Sequence, residues 1–310
     1  MKRVLLVLSL FFSLFIFASC SDNEKYDVVC TNYVSYDAVR ASTKDTTIKV
    51  KMILKPGLEI HDHELSMSEK RAILNAKMFV LVGGESDTWA SSMVDEAKTK
   101  GVKVMSMFEI LEDSLLLEEG EEDEYDEHVW TDPTNYERII KDITYELTLL
   151  FPNLKEVLDS YSETYRAVLL SLDKDMKTII SRANKKMIVV ADRNPFLYFS
   201  THYNIPVYGA LKGCSTDGTA SANKIIELTK IVEENKLKYI FTIELSKGSI
   251  AKTLSDEVDK DIRNNKYSGE HLTVRTLYSM HNISESSFNN GMTYNDMLRK
   301  NIEILEIALS

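Results

Sequence analysis

The stretch LKEVLDSYSETYRAVLLSLDKDMKTIISRA, residues Leu154–Ala183, decides the fold of this chain. Its apolar residues recur at spacings of three and four, which is typical of one face of a continuous helix. At 1.5 Å per residue such a helix is roughly 40 Å long, about the width of a domain. We therefore expect this segment to join two separate halves of the protein.

Apolar, β-rich runs alternate with helical patterns on both sides of this segment. The predicted strands are Val28–Val34, Ile48–Leu54, Met78–Val82, Val102–Phe108, Met187–Ala191, Pro206–Gly209, Tyr239–Ile243 and Leu272–Tyr278. Predicted helices lie between them, among them Ser66–Ala76 and Trp89–Lys100. This alternation indicates an α/β fold with two lobes, each a mostly parallel sheet flanked by helices. We assign residues 27–153 to the N-terminal lobe, 154–184 to the long rigid connecting helix and 185–310 to the C-terminal lobe.

The first twenty residues are typical of a targeting segment. Lys2 and Arg3 precede an apolar run of about 15 residues, which is within the range of signal peptides and short for a membrane span. Small residues then precede Cys20, as in the bacterial lipobox. We predict a signal peptide over 1–19, a lipid on Cys20 and a polar tether over 20–26. An ordinary secretory signal that contains a cysteine is the alternative. Either reading places the mature protein outside the cytoplasm, at the cell surface or in the periplasm.

The composition of the chain limits the classes of partner that it can bind. The chain has 310 residues and a formal net charge of −11, which argues against nucleic acid and anionic lipid as main partners. Of its three cysteines, Cys30 and Cys214 remain after Cys20. In an oxidising compartment they could pair, or they could stay separate thiols.

Histidines and acidic residues lie just past several predicted strands. Ligand sites in open α/β sheets gather at the carboxyl ends of strands, so we expect these groups to converge between the halves. The candidates are His61, His128, His281, Asp192 and Glu244. Imidazole and carboxylate are ligands for zinc and also suit manganese. For His61 and His128, the residues alone leave both metal binding and a structural role open. For His202 and His271, they favour a structural role.

An acidic loop precedes His128. No Lys or Arg lies between Lys103 and Arg138. Because like charges repel, we expect the loop to be extended and mobile. Its negative potential would attract cations, or it would only keep the loop solvated. The carboxylates assigned to cation capture are Glu118, Glu119, Glu121, Glu122, Asp123 and Glu124.

Motifs of the common enzyme classes are missing from the sequence. There is no GxSxG, Walker A or GxGxxG motif, and His61-Asp62-His63-Glu64 lacks the HExxH spacing. The sequence therefore predicts a binding protein rather than an enzyme.

Four segments resemble the zinc and manganese substrate-binding lipoproteins of ABC transporters, in the same order and over nearly the whole mature chain. The segments are PGLEIHDHE (56–64), AKMFVLVGGESDTWASSMV (76–94), EYDEHVWTDPTNYERI (124–139) and GMTYNDMLRKNIEILEIAL (291–309). The resemblance implies a monomer of two lobes that binds metal in the cleft and passes it to a membrane permease.

The resemblance also implies a ligand set. His61 and His128 match the first two ligand positions, and His281 lies nearest the fourth. Arg193 stands at the third, and a guanidinium offers only donors. Asp192 could coordinate in its place, or Arg193 could orient Glu244. We place Arg193 and His63 around the ligands rather than among them. Zinc is favoured over manganese by the Irving–Williams order.

Two other functions stay open at this stage. An envelope metallohydrolase would need an open coordination position and a base, for which Glu64 is the candidate. A surface adhesin or structural lipoprotein could use the same fold without metal.

Overall fold

The computed structural model describes residues 25–58, 63–118, 124–213 and 219–310. The predicted signal peptide, Cys20, His61, residues 119–123 of the acidic loop and Cys214 lie outside these ranges. Within them, no helix combines the length and the hydrophobicity that a membrane span requires.

The N-terminal part of the chain forms a four-stranded parallel sheet with the strand order β2-β1-β3-β4. Its elements are β1 (Val28–Cys30), α1 (Tyr33–Thr43), β2 (Val50–Met52), α2 (Met67–Asn75), β3 (Met78–Leu81), α3 (Thr88–Ser91), α4 (Val94–Thr99), β4 (Lys103–Ser106), α5 (Met107–Ile110) and α6 (Pro133–Leu150). Every residue of β1 and β3 is buried, as expected for central strands covered on both faces. Cys30, in β1, is buried and forms no disulfide with any residue that the structure describes.

Three predicted elements of this sheet region were wrong in their extent. The predicted strand Val28–Val34 ends at Cys30, because the Asn32 side chain accepts the backbone N–H of Ser35 and starts helix α1. The predicted strand Val102–Phe108 ends at Ser106, because the Ser106 side chain accepts the backbone N–H of Glu109 and starts the short helix α5. The predicted helix Trp89–Lys100 is two short helices, α3 and α4.

The long connecting helix is α7 (Lys155–Arg182), one residue shorter at each end than predicted. The second sheet follows it, also parallel, with the order β6-β5-β7-β8. Its elements are β5 (Ile188–Asn194), α8 (Leu197–Tyr203), β6 (Val207–Lys212), α9 (Ala222–Glu234), β7 (Tyr239–Thr242), α10 (Ser249–Arg263), β8 (Thr273–Thr276), α11 (Glu285–Asn289) and α12 (Tyr294–Ala308). The predicted fold class is confirmed.

A buried carboxylate ties the last helix to three earlier ones. Asp37 of α1 accepts hydrogen bonds from the hydroxyls of Tyr136 on α6 (3.3 Å) and Tyr165 on α7 (2.5 Å). It also accepts the backbone N–H of Tyr294, the first residue of α12, at 3.3 Å. Burial raises the pKa of Asp37. The closing helix is thereby anchored against the N-terminal part of the chain.

A second polar contact, the His202 bridge (His202, Asp132 and Asp173), joins α8 to α6 and α7. Nδ1 of His202 lies 3.0 Å from Asp132 at the start of α6, and Nε2 lies 2.7 Å from Asp173 on α7. Burial alone would lower the pKa of His202, but hydrogen bonds to both carboxylates outweigh it and raise the pKa to about 9. His202 therefore has the structural role that the sequence favoured.

Candidate metal centre

His128 is held by the residues that surround it in the chain. It directly precedes a 3₁₀ turn, Val129–Thr131, and its side chain is fully buried. Asp126 Oδ1 accepts the backbone N–H of His128 at 2.8 Å and lies 3.2 Å from Nδ1 of the ring. Burial lowers the pKa of His128, but the Asp126 carboxylate outweighs it and the net pKa lies above its ordinary value. The other nitrogen, Nε2, is buried without a hydrogen-bond partner in the described chain.

His281 comes to the same place from the other sheet. It lies in the loop after β8, and its ring meets that of His128 edge to face, with centroids 5.2 Å apart. Glu244, just past β7, shapes this loop: its carboxylate accepts the N–H and the hydroxyl of Ser279, both at 2.7 Å, and the N–H of Asn282 at 3.3 Å.

Trp130 packs against both imidazoles. Its ring centroid lies 5.2 Å from that of His128 and 5.0 Å from that of His281. Nε1 donates to the carbonyl of Ser279 at 2.8 Å, and the Trp130 carbonyl accepts the hydroxyl of Tyr294 at 2.7 Å. The two histidine-bearing segments are therefore fixed to each other by direct bonds.

Glu127 is the residue that sequence reasoning missed. Glu127, His128 and His281 each offer one ligand atom, and these atoms lie within 4.8 Å of one another. The side chain of Glu127 is 1% exposed, so it is not one more solvated member of the acidic loop. Nearby Asp87 is also fully buried, and burial followed by the charge of Glu127 raises the pKa of Asp87 to about 7. The only sequence signal for Glu127 was its position next to His128, and the surrounding acidic residues obscured that signal.

Asp192 and Glu244 lie outside this three-residue group. Glu244 lines the same cavity as both histidines and Arg193, but its oxygens are occupied by the loop contacts described above. The carboxylate of Asp192 accepts hydrogen bonds from the Ser246 hydroxyl and from the N–H of Arg193. The prediction that Asp192 and Arg193 lie just past a strand was wrong. Both residues belong to β5, whose register with β6 shifts between Val190 and Arg193.

The segment around His61, residues 56–64, is described only at its edges. The carbonyl of Leu58, three residues before His61, accepts a hydrogen bond from the side chain of Asn282, the neighbour of His281. His63 lies apart from the three-residue group, with Nε2 3.5 Å from Glu69 and its ring edge-on to Trp89 at 4.7 Å. Glu64, the candidate base of a metallohydrolase, is exposed.

The space between the two histidines is small. Its free volume is about 30 Å³, enough for one ion or water rather than an organic molecule. Gly213, after β6, covers one side: a Cβ there would lie 2.9 Å from Cε1 of His128. The two imidazoles, with a ligand atom of Glu127 within 4.8 Å of theirs, suit a transition-metal ion.

Comparison with known proteins identifies the family. The sequence profile of the family described as "Zinc-uptake complex component A periplasmic" matches residues 28–308. This chain belongs to that family. The resemblance seen in the four sequence segments is thereby confirmed.

Family relatives are named for zinc. The zinc-binding lipoprotein AdcA of Streptococcus pneumoniae R6 is 28% identical over 323 residues, which cover 99% of this chain and 61% of AdcA. This family member therefore spans about three fifths of that relative's length. The high-affinity zinc uptake system protein ZnuA of Bacillus subtilis is 25% identical over 303 residues, covering 93% of this chain and 89% of ZnuA.

Solved structures of similar proteins share the fold. The Zn(II)-bound ZnuA-like domain of Streptococcus pneumoniae AdcA superposes with a TM-score of 0.73 at 26% identity, covering 92% of this chain and 99% of that domain. The periplasmic zinc-binding protein TroA of Treponema pallidum gives a TM-score of 0.77 at 24% identity, covering 93% of this chain and 100% of TroA.

Proposed function

We propose that this family member is an extracytoplasmic receptor that binds Zn²⁺ between its two lobes and delivers it to an ABC permease. The observation that carries the proposal is the convergence of His128 and His281, which come from opposite lobes onto one small space. A buried imidazole nitrogen without a hydrogen-bond partner is costly unless something else binds it. Nε2 of His128 is such an atom, and a zinc ion would satisfy it.

The arrangement of His128 also favours metal binding. A metal-ligating histidine usually has its other ring nitrogen fixed by a carboxylate, which sets the tautomer and strengthens the ligand. Asp126 provides that contact at Nδ1 and leaves Nε2 directed away from it.

His61 is the third imidazole of the proposed site. Three residues of chain span at most roughly 10 Å, and His61 follows Leu58 by three residues. Because the Leu58 carbonyl is bonded to Asn282, the neighbour of His281, the chain is anchored close to the site just before His61. This connection supports the assignment made from the sequence.

Zinc is preferred to manganese as the transported ion. Imidazoles dominate the proposed ligand set, and at equal geometry they bind Zn²⁺ more tightly than Mn²⁺. The names of the relatives, which refer to zinc, point the same way.

The direct bonds between the lobes indicate how affinity arises. Trp130 and Tyr294 link segments of both sheets beside the site, and the His202 bridge adds a third connection. We infer that the ligands are held largely in place before the ion arrives, so binding does not require a wide closure of the lobes.

Membrane attachment completes the proposal. A lipid on Cys20 would tether a monomer to the extracytoplasmic face, close to the permease that receives the ion. Mass spectrometry of the protein purified from membranes would detect this lipid. A C20A variant should lack it and be released from the membrane.

Calorimetry on chelator-treated protein tests the zinc-binding proposal. We expect one Zn²⁺ per chain with a dissociation constant below micromolar, and a sharp loss of affinity in H61A, H128A and H281A. His271→Ala is the matched control, because that exposed imidazole pairs with Asp259 away from the cleft. Absence of zinc binding by the unmodified protein would reject the function, and equal losses in H271A would reject the site.

A further inference from the structure

Glu127 occupies a position that a solvated acidic loop does not explain. Its side chain is almost completely buried, while Glu118 and Glu124 of the same run are partly or fully exposed. A carboxylate loses much of its hydration on burial, so it needs compensation from a cation or from donors. A second carboxylate, Asp87, is buried close by.

The ligand atoms of Glu127 and the two histidines have the right chemistry and nearly the right spacing. They lie within 4.8 Å of one another. Around tetrahedral zinc, bonds of about 2.0–2.1 Å place neighbouring ligand atoms about 3.3 Å apart. Side-chain adjustments of about 1 Å would bring the three atoms onto one ion.

Gly84 makes room for the carboxylate. Its backbone is extended, with φ −98° and ψ −161°, a conformation that any residue adopts, so the backbone does not require glycine. A Cβ at this position, however, would lie 2.5 Å from Cβ and 2.6 Å from Oε2 of Glu127. Because one of those atoms belongs to the stiff base of the side chain, alanine at position 84 would force Glu127 to move.

We propose that Glu127 is a carboxylate ligand of the bound ion and that Gly84 is the positioning residue that lets it reach the ion. This inference rests on the proposed zinc-binding function. Among the described residues, the resulting set is His128 and Glu127 from one lobe and His281 from the other.

Zinc affinity and Co²⁺ spectra test the assignment. Glu127→Gln keeps the size of the side chain and removes its charge. We expect its zinc affinity, measured by competition with a chelator, to fall at least about tenfold. With Co²⁺ in place of zinc, the visible absorption bands should shift, because one oxygen ligand changes. Glu233→Gln, on α9, is the control and should change neither readout.

Gly84 is tested by its dependence on Glu127. We expect Gly84→Ala to weaken zinc binding in the unmodified protein and to have no further effect in an E127G background, where no side chain remains to be displaced. Gly269→Ala is the matched control, because its Cβ would meet the ring of Tyr267 away from the cleft. Melting temperatures of the metal-free variants exclude loss of folding as the cause.

The outcomes separate this inference from the function on which it rests. If the unmodified protein binds zinc and E127Q matches it in affinity and Co²⁺ spectrum, Glu127 is not a ligand and the receptor function stands. If the unmodified protein does not bind zinc, the receptor function itself fails. If G84A weakens binding equally with and without Glu127, Gly84 does not act through the carboxylate.

Discussion

The carboxylate of Asp126 lies 3.2 Å from Nδ1 of His128 and accepts the backbone N–H of the same residue at 2.8 Å. One side chain thus fixes both the backbone and the ring of His128. The contact determines which nitrogen faces the cleft, and it is made between residues only two apart in sequence.

Removal of this carboxylate is expected to weaken zinc binding. In Asp126→Asn the amide keeps the shape of the side chain but loses the charge that holds Nδ1–H. The loss of such a supporting contact typically costs about 10–100-fold in metal affinity. Chelator competition measures the effect, and Asp95→Asn on exposed α4 serves as control. Equal affinities of D126N and D95N would show that the contact does not support the ligand.

Trp130 should report zinc binding by its fluorescence. Its ring lies about 5 Å from both imidazoles, so their coordination changes its surroundings directly. The chain has two tryptophans, and Trp89→Phe leaves Trp130 as the only one, which can be excited selectively at 295 nm or above. We expect the emission of W89F to change on zinc addition and to saturate at one equivalent. The same titration of W89F/H128A should show no saturable change. A silent W89F that still binds zinc by calorimetry would contradict the placement of the ion.

The His202 bridge should make stability depend on pH in the alkaline range. The folded-state pKa of His202 is raised from 6.5 to about 9, which corresponds to roughly 3 kcal/mol. A raised pKa adds stability that is complete below about pH 6.5 and is lost as the pH rises through about 9. Urea unfolding of the metal-free protein at pH 6 and pH 9.5 measures this loss, and His202→Gln should remove most of it.

The acid side of the same bridge has the opposite sign. Hydrogen bonds from His202, Lys177 and Tyr203 outweigh burial and lower the pKa of Asp173 from 3.8 to about 2. The stability that Asp173 contributes is present above pH 4 and is lost as the pH falls through about 2.

The alkaline prediction has a clear counter-result. If H202Q and the unmodified protein lose stability in parallel between pH 6 and pH 9.5, the His202 bridge does not cause the loss.

The acidic loop should increase the rate at which zinc is captured. Replacement of Glu118, Glu119, Glu121, Glu122, Asp123 and Glu124 by their amides removes the local negative potential. We expect a slower association at low ionic strength, and rates that converge near 1 M salt, where the Debye length is about 3 Å. Stopped-flow fluorescence of Trp130 follows the reaction. Neutralisation of Asp256, Glu257, Asp259 and Asp261 on α10 is the control, and equal rates for both variants would remove the role of the loop.

Local pattern was sufficient to predict most of the fold. The three- and four-residue spacing of α7 predicted its bounds to within one residue, because a long amphipathic face is a strong signal. The end of β4 was harder to predict: the apolar run continues to Phe108, but the cap at Ser106 turns the chain into a helix.

The site could be predicted only in part. His128 and His281 were predicted because each lies just past a strand or the acidic loop, and the structure places their rings edge to face. Glu127 could not be found in this way, because its burial depends on Gly84, 43 positions earlier in the chain. The assignment of Asp192 and Arg193 to a loop failed for a similar reason, since the register shift that keeps them in β5 depends on pairing with β6.

The hydrogen bond from Asn282 to the Leu58 carbonyl has a consequence for release of the ion. It couples the loop that carries His281 to the segment that leads into His61, although the two are more than 200 residues apart in sequence. In the proposed receptor, a force on either segment would be transmitted to the other through this one hydrogen bond.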